Sequence, residues 1–487
     1  MRRCAAVLLL VGLLVSASAC RKQPEGALKV VVIGAQPKLV DPASGPLSFS
    51  DETLLQNVAQ GLVQFDASGN LVGGLAERWN VSDDGLSYIF RIASVQWPDG
   101  RKISAEQVAR LLKRQLAGRS RNSLKDAVGA IDDVVAMTDR VIEIRLAAPR
   151  PNLLSLLAQP EFAILRSGQG TGPFTAVPSG VQDELKLTRE IVSPDEETTE
   201  KQELLLSGAD AARAVRGFAA AQSDLVLGGT FADLPFAQRA NLPRNSLRFD
   251  PASGLFGLVP VRSGGPLDKP EIRQLLSEAI DRDTLVAALA VPGLTPRATL
   301  FEPGLEGVPA PVAPAWLATP FAQRLPTLQA QAKKLIGQFQ KPTITVAVPE
   351  GPGADLLYHL LQRDWGALGF TVDRAENVSE AEFALVDQVA PSSSPAWFVR
   401  RFRCAVAPVC NSDADQLMET ARETPILAQR YALLGQAAAL IDKDQLFIPI
   451  AAPVRWSLVS RRIQGFAGNR FARHTLTDLE QRPDSGG

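Results

Sequence analysis

Histidine and tyrosine are nearly absent: two histidines and three tyrosines occur in 487 residues. His359 and His474 stand far apart in the chain, so acid–base chemistry near neutral pH would fall to carboxylates or lysines, and no pair of those is singled out by spacing. No His-Glu-x-x-His, Gly-x-Ser-x-Gly or Gly-x4-Gly-Lys-Ser/Thr run is present, which removes the signatures of zinc proteases, serine hydrolases and P-loop enzymes. An excess of one charge is also missing: Lys plus Arg number 51 against 52 Asp plus Glu, for a net charge of -1. Nothing therefore steers the chain toward nucleic acid or anionic lipid. Cysteines number four, and three of them have uses other than metal ligation, which argues against a dedicated transition-metal site; no cofactor is implied. Only one long apolar run exists, residues 4–19, and it falls short of the roughly 20 residues a bilayer helix needs.

That run is informative in itself. Arg2 and Arg3 precede it, and Ala17-Ser18-Ala19 sets small side chains ahead of Cys20, the arrangement of an export signal ending in a lipobox, with Ala17 in place of the usual Leu. Residues 1–19 read as a lipoprotein signal peptide, Cys20 as the lipidated N-terminus and 20–26 as a polar tether. Cleavage removes Cys4 and lipidation occupies Cys20, so Cys404 and Cys410 remain as the thiols of the mature chain. Outside the cytoplasmic membrane they are expected to form a disulfide, worth about 2 kcal/mol, the alternative being two buried free thiols. Cys-x5-Cys matches no zinc or redox signature.

With 46% hydrophobic and 21% charged residues the chain can bury a large core, and its length suits two to three structural units. The pattern is mixed α/β. Residues 29–33 form a β-branched run that reads as a buried strand; Ser50 is placed to cap a helix carrying Leu54, Leu55 and Val58. Tyr88, Phe90 and Ile92 alternate with Ser87, Ile89 and Arg91, an imperfect period-two strand because Ile89 is apolar. Ser104 with Gln107 forms a capping box ahead of Val108, Leu111 and Leu112. A Pro-rich stretch, 292–326, reads as a surface excursion, and 344–372 as a βαβ unit. Gly170-Thr171-Gly172-Pro173 and Gly351-Pro352-Gly353 are read as turns, since each lacks the residues of a phosphate loop. The basic cluster Lys113, Arg114, Arg119, Arg121 and Lys125 lacks aromatics and reads as a solvated face.

Taken in order, Leu71-Val72-Gly73-Gly74-Leu75-Ala76-Glu77-Arg78-Trp79, Asp83-Asp84-Gly85-Leu86-Ser87-Tyr88, Val95-Gln96-Trp97-Pro98-Asp99-Gly100 and Ser104-Ala105-Glu106-Gln107-Val108 resemble family 5 of the extracellular solute-binding proteins, the oligopeptide- and dipeptide-binding proteins of ABC importers. Asp41-Pro42, Ser223-Asp224-Leu225-Val226, Ile272-Arg273-Gln274, Ala279-Ile280-Asp281-Arg282 and Ile448-Pro449-Ile450 extend the likeness over nearly the whole mature chain. The resemblance implies a large, cluster C type, two-lobed periplasmic binding protein fold with mixed sheets and a discontinuous first lobe. It divides the chain into lobe I at 27–262 with an inserted subdomain at about 45–165, lobe II at 263–450, and a return to lobe I with a C-terminal tail at 451–487. The crossings between lobes are expected at 258–262 and 447–454.

The implied function is that of a lipid-anchored, extracytoplasmic receptor, without enzymatic activity, that binds a peptide or peptide-like small polar solute between its lobes. Its implied partners are an ABC permease and ATPase, and it is expected to be a monomer that binds no nucleic acid. The alternative is a tethered sensory or assembly protein that keeps the fold without transport. Residues placed at the ligand by the resemblance are Gln36, Asp387, Gln388, Val389, Ala390 and Trp397. One departure stands out: where peptide-binding relatives have Trp-x-Ala-Asp-Tyr-x-x-Pro, this chain has Gln388-Val389-Ala390-Pro391-Ser392-Ser393-Ser394-Pro395, with Pro391 in place of the aspartate that pairs with a ligand ammonium group. Asp387, four residues earlier, is the candidate substitute. Arg189-Glu190-Ile191-Val192 likewise replaces the usual Asn-x-x-Tyr, with an expected effect on lobe packing.

Overall fold

In the computed structural model, which describes residues 26–192, 199–337 and 342–481, three sheets organise the chain. The signal peptide, Cys20 and the tether up to residue 25 lie outside the described residues. A seven-stranded mixed sheet has the order Leu247–Phe249, Arg455–Val459, Leu225–Thr230, Leu28–Ile33, Thr199–Ala209, Glu184–Val192, Thr175–Pro178. Its central strand, the β-branched run near the N-terminus, pairs in parallel with both neighbours and buries Leu28, Val30 and Val32. A five-stranded sheet, Thr371–Arg374, Thr343–Ala347, Phe383–Val389, Gly254–Pro260, Ile448–Ala451, forms the second lobe. It contains the βαβ unit, with Pro352–Gly366 as the crossover helix between parallel strands.

The chain leaves the first sheet after Phe249 and returns at Arg455, so the first lobe is discontinuous. The first crossing corrects the expectation of 258–262. Gly254–Pro260 pairs along its whole length with Phe383–Val389, which places the change of sheet at 250–253. The hydrogen-bonding complement of that strand lies entirely in the second lobe, a fact that hydrophobicity alone does not reveal.

A four-stranded antiparallel sheet, Ala76–Val81, Ser87–Ile92, Val141–Leu146, Ile131–Thr138, carries its own core with the helix Ala105–Leu116. Tyr88, Phe90 and Ile92 point into this core while Ile89 is 43% exposed, so the alternation is a genuine half-buried strand. Ser104 Oγ accepts from Gln107 N, but the capping box is half-formed because Gln107 Oε1 instead accepts from Trp97 Nε1 at 3.0 Å. Two other local expectations shift. The cap of Phe49–Val58 is Ser48, paired reciprocally with Asp51, rather than Ser50, which is buried. The Pro-rich stretch ends in a helix, Phe321–Ile336, with Pro326 tolerated within the first two turns.

Gly170 and Gly172 do more than turn the chain. A Cβ at either would strike the backbone at Val58 and Ala59, and Gly172 N donates to Val58 O at 3.0 Å. Gly353 similarly presses on the loop at Phe231 and gives its amide to Ala232 O, which joins the second lobe to the first.

Candidate functional site

Between the lobes, and closed on one side by the inserted layer, lies a cavity of about 460 Å³. The first lobe supplies Gly228–Gly229–Thr230 and Arg455–Trp456–Ser457 from adjacent strands. Gly229 is required there, because any Cβ would enter the Trp456 indole; Trp456 Nε1 donates to Thr230 O at 2.8 Å and fixes the ring against the strand. The second lobe contributes Asp387, Gln388, Val389 and Pro391, then Trp397 and Arg400. Ser123, Leu124 and Glu161 come from the inserted layer, and Arg473 with His474 from the C-terminal segment.

Most charges that face this cavity are neutralised within the protein. Arg455 Nη1 donates to Asp387 Oδ1 at 2.8 Å, Arg455 Nη2 donates to the Asp387 carbonyl at 3.1 Å, and both side chains are largely buried. Burial pushes the Asp387 carboxyl up, opposed by the Arg455 charge and hydrogen bond. Arg473 lies between two carboxylates, 3.1 Å from Glu52 and 3.4 Å from Glu161. Burial raises Glu52 to about 7; Arg473 works against this and Glu161 adds to it. His474 Nε2 is 3.2 Å from Asp250 Oδ2, both buried, with the imidazole stacked on Phe466.

Of the residues placed at the ligand by sequence, Asp387, Gln388, Val389 and Trp397 line the cavity. Gln36 and Ala390 are not among its lining residues. Gln36 spends both ends of its amide on the backbone of Gly208, at 2.9 Å each, and Ala390 is buried with its N–H on Ser253 O. Pro391, standing where an aspartate was expected, gives its carbonyl to Gln159 Nε2 at 2.8 Å across the cleft. Next to it Asn152 Nδ2 donates to Ser392 Oγ at 3.0 Å. Cys404 and Cys410 are joined by a disulfide, with Cα atoms 5.2 Å apart.

Sequence reading missed Glu52, Glu161, Asp250, Arg400, Arg455, Arg473 and His474. Each sits in an ordinary helix end, strand end or loop, and they meet only because elements up to 421 residues apart (Glu52 to Arg473) pack together. The one local signal was Gly228-Gly229 inside a strand, which marks close backbone approach.

The family model described as bacterial extracellular solute-binding proteins, family 5 Middle, matches residues 70–390. Among curated relatives, "Probable di/tripeptide-binding protein 5" of Pseudomonas aeruginosa is 24% identical, the match covering 85% of this chain and 88% of that one. Among solved structures, the murein tripeptide binding protein MppA of Escherichia coli superposes with a TM-score of 0.80 at 17% identity, covering 94% of this chain and 99% of its own. Haemophilus influenzae OppA, solved in complex with RPPGFSPFR, gives 0.79 at 16% identity, covering 94% of this chain and 100% of its own. These likenesses establish the two-lobed fold.

Proposed function

Since the chain belongs to the bacterial extracellular solute-binding proteins of family 5, we propose that it is a lipid-anchored receptor that captures a peptide or peptide-like small polar solute between its lobes and delivers it to an ABC permease. The observation that carries this reading is the 460 Å³ cavity, whose walls come from both lobes and the inserted layer together. That volume lies within the range of small-ligand pockets, and a site shared by two lobes forms only when they come together, as a capture-and-release receptor requires. On this reading lobe I holds residues 27–253 and 452–481, lobe II holds 254–451, and the inserted layer belongs to the first. No residue of the cavity is asked to perform chemistry; its polar groups hold the solute and its aromatic walls exclude water.

Native mass spectrometry of the freshly purified protein, followed by calorimetric titration with di- and tripeptides, tests the ligand class. Binding of none of them, with a non-peptide solute found in the cavity, would overturn the peptide reading. Anchoring rests on Cys20: acyl chains contribute about 0.8 kcal/mol per buried methylene, so Cys20→Ser should move the protein from the membrane fraction to the soluble one. A Cys20→Ser protein that stays with the membrane would remove the lipid anchor from the proposal.

A further inference from the structure

Arg400 differs from the other cavity-lining arginines. Arg455 is held by Asp387 and Arg473 by Glu52 and Glu161, and His474 sits against Asp250, whereas among the described residues no carboxylate lies within ion-pair distance of Arg400. Its guanidinium carbon lies 5.9 Å from the centroid of the Trp397 ring. Asp126, in the inserted layer, acts on it only through its field, and the adjacent Arg401 opposes its charge. The side chain is half-buried and lines the cavity rather than the outer surface alone. A guanidinium taken partly out of water, with five donors and, among the described residues, no protein acceptor, lacks the pairing that such groups ordinarily have.

Backbone position strengthens the point. Arg400 follows directly on the helix Pro395–Val399, whose N-terminal residue closes the loop that carries Pro391. Trp397, Phe398 and Val399 are buried, and Phe398 packs edge-on to Phe301 and Trp397, so the backbone that projects Arg400 is fixed by its own core. The guanidinium is thus held beside a flat apolar wall, an arrangement suited to a planar oxyanion flanked by apolar carbon.

Resting on the solute-receptor reading above, we infer that Arg400 is the carboxylate selector of this cavity: it binds a carboxylate of the solute, and the protein takes carboxylate-bearing solutes in preference to counterparts in which that group is amidated. The selection follows from geometry: Asp387, Glu52 and Glu161 each lie within 4 Å of an arginine and Asp250 is in contact with His474, whereas among the described residues no carboxylate lies within that distance of Arg400.

The probes are matched pairs of di- and tripeptides, each as the free acid and as the C-terminal amide, titrated calorimetrically into the full-length mature protein and its variants. In the wild type the free acids should bind at least about tenfold more tightly than the amides, the factor expected for one charge-assisted hydrogen bond to a carboxylate. Arg400→Gln should erase that ratio, Arg400→Lys should restore part of it, and Arg401→Gln, outside the cavity lining, should leave it unchanged. Thermal unfolding of each variant with the disulfide intact reports whether the fold survives; if Arg400→Gln does not fold, the Arg400→Lys ratio decides. Equal binding of acids and amides by the wild type overturns the role of Arg400 and leaves the receptor reading standing. Acids preferred equally by wild type and Arg400→Gln would also overturn it, by placing the carboxylate elsewhere. Binding of neither form retires the peptide reading and this inference with it.

Discussion

At the residue scale, the position of a charge relative to its partner decides what it can offer a ligand. Asp387, four residues before the missing ammonium-binding aspartate, was the acid considered as a compensating group, and Arg455 already holds it by its side chain and by its carbonyl. A free peptide amine would have to compete with a guanidinium that is covalently part of the fold. The N-acetylated and free forms of one bound peptide should therefore differ little in affinity, and Asp387→Asn should leave their ratio unchanged, as titration of both forms will measure. The same substitution strands Arg455 in a nearly buried site and should cost about 2–3 kcal/mol in urea unfolding. Glu52 behaves differently because its carboxyl is raised by burial to about 7. A carboxyl bound more tightly to its proton when folded contributes stability that is fully present below its unfolded value of 4.5 and is lost as pH rises through about 7. Glu52→Gln, which mimics the protonated group, should therefore lose about 2 kcal/mol less than wild type between pH 5 and pH 8 in paired urea titrations.

At the scale of elements, short segments acquire their geometry from what they lean on. The helix Pro395–Val399 is only five residues long, too short to be stable alone, and it is held by Phe301, packed edge-on against Phe398; the Cys404–Cys410 bridge closes the loop that follows it in the chain. Replacing both cysteines by serine should lower stability by about 2 kcal/mol on the chain-entropy account. Alkylation of the native protein without reduction should label neither residue; labelling of both would show that the bridge is absent from the protein as isolated. The basic cluster on and after the helix Ala105–Leu116 illustrates the opposite case. Lys113 pairs with Asp133, Arg114 with Asp41, and Lys125 donates to the carbonyls of Gly118 and Ser120, so these charges brace the surface.

For the whole molecule, the arrangement of the lobes depends on a few polar contacts across the cleft. Gln159 reaches the Pro391 carbonyl, Asn152 reaches Ser392, and Arg430 Nη1 donates to Pro149 O at 2.6 Å. Near the crossings the two sheets share one apolar core, where Phe231 meets Phe256 at a centroid distance of 4.7 Å. If the lobes part on release of a ligand, the shared core is expected to stay fixed and these polar contacts to break. Each such bond is worth about 1 kcal/mol net, so removing two should shift an open–closed equilibrium by about tenfold or more. The double variant Gln159→Ala, Asn152→Ala should have a larger radius of gyration than wild type in small-angle scattering of the unliganded protein. An unchanged radius would show that the closed arrangement does not rest on these two bonds.

What the sequence determined by itself was the family, the mixed α/β architecture and the pattern of buried strand faces, because those follow from local periodicity and from residues that brace the scaffold. Asp224 joins Lys29 and Arg462, Arg273 binds the carbonyls of Leu267, Asp444 and Gln445, and Arg282 those of Ser277 and Pro449. In this chain these motif residues brace the scaffold through backbone carbonyls and local ion pairs, and their order along the sequence carries the family resemblance. Tertiary structure alone decided the point of the first crossing, the pairing of Asp387, and the isolation of Arg400. A carboxylate's availability depends on whether a cation from another lobe stands within about 4 Å, and the sequence separation of 68 residues between Asp387 and Arg455 carries no trace of that approach.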